Sequence, residues 1–124
     1  MARLGRSATF VVALAAAGLG LSACGTNSAV DQARQACKDV HAALRIYHQS
    51  QYPGLTAARR SALEAAAMST LLKATPAAAA ATSLDGSWNP LMTTINEAER
   101  VPLKNLVPAL TRLCKVADSS APYL

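Results

Sequence analysis

From Val30 onward, apolar residues fall at Val30, Ala33, Cys37, Val40, Leu44 and Tyr47, alternating in steps of three and four over nearly five helical turns. That spacing places one apolar stripe along one side of an α-helix and commits the segment to packing that stripe against something else. Polar residues (Gln32, Gln35, Lys38, Asp39, Arg45, Gln49) occupy the opposite side, and Ser28 with Asp31 three positions on forms a capping-box-like start. Tyr52-Pro53-Gly54 supplies two breakers after it. No segment shows the two-residue alternation of a half-buried strand, and no internal repeat is evident.

The remaining segments extend the helical pattern. Thr56 is expected to cap a second helix, Ala57 to about Ala74, with Leu63, Ala67, Thr70 and Leu71 on one side. Thr75-Pro76 reads as a cap followed by proline at the first helical position, opening a short alanine helix over Ala77–Ala81. After Leu84-Asp85-Gly86, Ser87 is expected to cap a helix carrying Trp88, Leu91, Met92 and Ile95 on its apolar face. Val101-Pro102 is a boundary, and Asn105 is expected to cap the last helix, with Pro108 in its permissive first turn and Leu106, Val107, Leu110, Leu113 and Cys114 turned inward. The expected fold is all-α: a small bundle of about four main helices plus one short alanine-rich helix.

The first residues have a different character. Arg3 and Arg6 precede an apolar run from Ala8 to Leu21, the outline of a secretory signal. The run is shorter than the roughly 18–20 apolar residues that a membrane span requires. At its end, Leu21-Ser22-Ala23-Cys24 resembles the lipobox of bacterial lipoproteins: an aliphatic residue three places before Cys, and small residues directly before it. The resemblance implies that Cys24 receives a diacylglyceryl thioether, that cleavage removes 1–23, and that Cys24 becomes the N-terminus on the extracytoplasmic face of the cell membrane. Two acyl chains anchor stably where one binds only marginally. The other reading is an ordinary secretory signal cut after Ala23, which leaves Cys24 as a free thiol in an oxidising compartment. Residues 24–27 are then a short tether, 28–118 the helical domain, and 119–124 a flexible tail.

Export sets the chemistry of the other two cysteines. With Cys24 taken by lipid, Cys37 and Cys114 are an even pair in an oxidising compartment and read as one disulfide linking the first and last helices. Closing a loop of about 77 residues is worth about 4 to 5 kcal/mol in the chain-entropy picture. An alanine-rich core buries little area per residue, so such a staple matters. Two of the twelve basic residues precede Cys24, leaving ten against seven acidic ones, a net charge of +3. The ten are scattered and have no aromatic residues interleaved, which argues against nucleic acid as a partner.

Chemistry-bearing constellations are few. Cys37, His41 and His48 share roughly one helix face, but using Cys37 as a ligand would sacrifice the disulfide, so no metal site is expected. Glu97 and Glu99, two apart, point to different faces, and neither histidine sits in a nucleophile motif; no enzyme and no cofactor are expected. Trp88 is the chain's single tryptophan. Leu91, Met92 and Ile95 extend its face, which favours a core position. Its functional reading is an apolar cleft lined by Tyr47, Tyr52, Trp88 and Met92, with Tyr52 as an exposed interface anchor.

Taken whole, the alanine-rich, lysine-poor composition, lipobox and two distant cysteines resemble the small lipoproteins of actinobacteria, including mycobacteria. That resemblance implies a source and an address and carries no catalytic motif. The expected function is a non-enzymatic protein-interaction module held at the membrane by its lipid. The alternative is a carrier of a small hydrophobic ligand, such as a lipid, in a cleft between helices.

Overall fold

The computed structural model describes residues 28–119. Cys24, the lipobox, the tether over 24–27 and the tail beyond Ser119 lie outside the described residues. Within them the chain forms five α-helices: α1 (Ala29–Ser50), α2 (Ala57–Leu72), α3 (Thr75–Leu84), α4 (Asn89–Asn96) and α5 (Leu103–Asp118). Two single 3-10 turns, Gly86–Trp88 and Glu97–Glu99, flank α4. No strand occurs among the described residues. The all-α bundle is therefore as expected, with the alanine-rich α3 as its short member.

Local chemistry starts the first two helices. The Ser28 and Thr56 hydroxyls each accept from a backbone N–H three residues on, Asp31 and Arg59 respectively, both at 3.1 Å. Each cap satisfies one of the donors that a helix N-terminus leaves unpaired. Gly54, at φ 87°, takes the left-handed conformation that lets the chain reverse between α1 and α2.

Three boundaries differ from the sequence expectation. Thr75 is not a cap: α3 starts one residue after Ala74 and runs to Leu84, well past Ala81, because no breaker stands between Pro76 and Asp85. Asp85, not Ser87, caps the next turn; its Oδ1 accepts from the Ser87 N–H at 3.0 Å. Asn105 lies inside α5, which begins at Leu103 directly after Pro102, so Pro108 stands at the sixth helical position. One bond, to the Lys104 carbonyl, is thereby lost. Both residues are exposed, which leaves that carbonyl's neighbourhood open to water.

The core runs between all five helices, with Leu71 as the contribution of α2. Ala33, Ala36, Cys37, Val40 and Ala43 from α1 meet Ala78 and Ala81 from α3, Leu91 and Ile95 from α4, and Leu110, Leu113, Cys114 and Ala117 from α5. Alanines at these contacts let helix axes come close, since no larger side chain holds them apart. Trp88, 1% exposed, is the largest buried side chain. In a core of alanines it fills volume that would otherwise be lost packing.

Cys37 and Cys114 form a disulfide with their Cα atoms 5.5 Å apart, joining the first helix to the last. Two polar contacts extend this junction. The Arg34 guanidinium donates from Nε to the Ala117 carbonyl at 2.8 Å and from Nη2 to the Ser119 carbonyl at 3.0 Å. His41 Nε2 lies 2.7 Å from Asp118 Oδ2. Arg34 thus takes up carbonyls that the end of α5 cannot satisfy itself, and its positive charge sits at the negative end of the helix dipole. Ser119, expected as the first residue of a flexible tail, is tied back through its carbonyl by Arg34.

The disulfide spans 77 residues, for which chain entropy gives about 4 to 5 kcal/mol at most. A Cys37→Ser/Cys114→Ser double variant is expected to lose about 2 to 5 kcal/mol in urea titration at neutral pH. Equal midpoints for the wild type and the double variant would contradict that role.

Candidate functional site

A groove of about 710 Å³ lies at the end of the bundle where α1 finishes. Its walls come from four segments. Tyr47 and Gln51 stand at the end of α1; Ser61, Glu64, Ala65 and Met68 form one side along α2; Ala98 to Pro102 and the first residues of α5, Leu103 and Lys104, form the other.

Each wall has a sequence-level cause. On α2, Ser61, Ala65 and Met68 recur at steps of four and three, so they share a side, and two of the three are too small to fill the space in front of them. Across from them the chain cannot stay helical through Val101-Pro102, because the residue before proline is driven toward extended conformations. The break after Glu99, closed by Arg100 and Val101 N–H groups bonding to the Glu97 carbonyl, leaves the 100–102 link standing as a rim. The base is apolar: Ala98 is buried, while Val101 and Leu103 are partly buried against the core.

Charge lies on both rims. Glu64 is on the α2 side and Lys104 on the other, with Glu99 and Arg100 beside it. Arg100 Nη2 contacts Glu97 Oε1 at 2.6 Å. Among the described residues neither Glu64 nor Lys104 has an ion-pair partner. These are solvated charges whose Coulomb energy would become useful when a partner excludes water.

Of the four residues expected to line a cleft, Tyr47 lines this groove. Trp88 is buried in the core, Met92 is partly buried against it, and Tyr52 stands 64% exposed on the turn after α1. The structure does not gather the four. Of the lining residues only Tyr47 stands out in the sequence; the others, Glu64, Ala65 and Lys104 among them, carry no local signature, and Met68 on an otherwise small-residue side of α2 is the one further signal available.

The histidines are apart from the groove lining. His41 pairs with Asp118, and among the described residues no hydroxyl or thiol hydrogen-bonds its ring. Each partner is almost half exposed, and such pairs contribute roughly 0 to 1 kcal/mol. The His48 ring centroid lies 6.0 Å from that of Tyr47. Cys37 is consumed by the disulfide, and no group of three or more His, Cys, Asp or Glu could hold a metal ion among the described residues. No helix among them is long and apolar enough to cross a membrane. No protein-family model, curated protein or solved structure matches this chain.

Asp85, fully exposed, shows a resolved electrostatic effect. The Ser87 backbone N–H, followed by the Ser87 side chain, holds its carboxyl below the ordinary value of 3.8. A lowered folded-state value means that the charged form is favoured by folding, so the contribution is present above that pH and is lost as pH falls through the folded value. Asp85→Ala is therefore expected to lower the melting temperature at pH 7, with the gap to wild type narrowing in acid below pH 3.8. A gap that stays constant down to that range would contradict the charged cap.

Proposed function

We propose that this chain is a lipid-anchored protein of the cell envelope whose helical domain is a non-enzymatic protein-interaction module. The observation that carries this reading is the groove: an apolar base between rims bearing opposite, unpaired charges, Glu64 and Lys104, is the make-up of a surface that excludes water at its centre and sorts partners at its edge. Its position supports the same reading. Tyr47 lies 18 residues along α1 from Ala29, about 27 Å of helix from the point where the tether joins, so the groove is held away from the anchor.

The second reading, a carrier of a small hydrophobic ligand, is favoured by volume. About 710 Å³ falls within the roughly 300–1,000 Å³ of small-molecule sites. Charged rims and an open mouth suit an acyl chain less well than a folded protein segment, since burying an unpaired charge beside hydrocarbon is costly.

Both parts of the proposal are tested in one experiment on the full chain in the cells that make it. A photo-reactive residue at Met68 is expected to yield discrete protein adducts in the membrane fraction. The same residue at Lys38, an exposed position midway along α1 and outside the groove lining, is expected to yield none, and Cys24→Ser should move the chain to the soluble fraction. Adducts to lipid alone at Met68 would favour the carrier, and membrane retention of Cys24→Ser would contradict the anchor.

A further inference from the structure

We infer that Cys24, left as a thiol, competes with Cys114 for Cys37 while the chain folds, so that a thioether at Cys24 protects the native disulfide as well as holding the membrane. The inference rests on the lipid-anchor reading and gives the modification of Cys24 a second effect, on pairing.

The first observation is separation. Cys37 lies 77 residues from its partner Cys114 and only 13 from Cys24. In an open chain the chance that two residues meet falls as the 3/2 power of the loop between them, which gives Cys24 an advantage of about fourteenfold over Cys114. The pair that the chain adopts is therefore not the one that chain statistics favour.

The second observation is reach and burial. Cys37 stands eight residues along α1 from Ala29, about 12 Å of helix. Ala29 is five residues on from Cys24, a length of chain that extends to about 17 Å. Forming α1 thus leaves Cys37 within range of the Cys24 thiol. Only closure of the bundle separates them, because Cys37 and Cys114 are both 0% exposed once α5 lies against α1. The partner is chosen before that closure, since a buried thiol cannot meet an external disulfide.

Oxidation needs a donor, either glutathione disulfide or the disulfide of an exchange protein. The Cys37 thiolate attacks one donor sulfur, the donor S–S bond breaks, and one donor thiolate leaves. A second thiolate of the chain attacks Cys37 Sγ and expels the other donor thiolate. Two electrons pass from the chain's two thiols to the donor, and their two protons end on the two donor thiolates. Attack by Cys24 leaves Cys114 reduced and α5 without its covalent tie to α1. A sulfur held as a diacylglyceryl thioether has no thiolate with which to attack.

The test uses the full chain, reduced and unfolded in urea with mild detergent, then diluted into glutathione disulfide. Exchange is quenched with acid at successive times and the disulfides are mapped by mass spectrometry. With Cys24 free, Cys24–Cys37 is expected in about tenfold excess over Cys37–Cys114 at the earliest times; Cys24→Ser is expected to give Cys37–Cys114 as its main product. Cys37–Cys114 as the main early product of the chain with Cys24 free would overturn the inference. The mass of the Cys24 peptide from cell envelopes tests the anchor separately. A lipid-bearing Cys24 with no competition on refolding leaves the anchor standing and overturns the inference. Competition on refolding with an unmodified Cys24 in the envelope leaves the competition standing and overturns the anchor, and with it the protective role.

Discussion

Everything in this fold is hung on the junction between α1 and α5. Cys37–Cys114 ties the two helices covalently, Arg34 takes the carbonyls of Ala117 and Ser119, and His41 meets Asp118 one residue further along. These contacts set α5 antiparallel to α1, its end at Arg34 and Cys37 and its start beside Tyr47 and Gln51. The need for such a junction follows from composition. An alanine buried in a helix contact removes far less apolar area from water than a leucine, so the hydrophobic term per residue is small while the entropy cost per residue is not. Cross-linking distant residues lowers the entropy of the unfolded chain, whichever side chains the core holds.

The same scarcity of large side chains explains the groove. Leu71, Leu91, Ile95, Leu110 and Trp88 fill the core. Where α2 faces the 100–102 link, Ser61 and Ala65 are too small to fill the space in front of them, and a concavity is left. That apolar concavity edged by solvated charges is the feature on which the proposed interaction role rests.

Much of the fold was legible in the residues because its signals are local. The α1 stripe from Val30 to Tyr47 depends on spacing alone, and Ser28 and Thr56 cap helices through bonds to residues three places away. The cysteine pairing followed from parity once Cys24 was set aside. The helix limits were less legible where proline had two permitted meanings. Pro76 and Pro108 are each compatible with a helix start nearby, and tertiary packing of Leu103 and Leu106 decided that α5 begins before Asn105. The groove was legible only in fragments, because Tyr47, Glu64, Ala98 and Lys104 come from four separate segments and meet through the fold. Trp88 shows the converse: its large apolar surface and the face shared with Leu91 and Ile95 pointed to the core, where it lies 1% exposed.

A stapled framework of α1 and α5 beside a thinly buried α2 makes the distribution of stability across the domain the most direct measure of this account. Native-state hydrogen exchange on the oxidised chain should find the slowest amides in α1 around Cys37 and Val40 and in α5 around Leu110 and Cys114. Amides of α2 should exchange through a separate opening of lower free energy. If α2 instead exchanges as slowly as α1 and α5, in one global unfolding event, then the junction is not what the rest of the fold depends on.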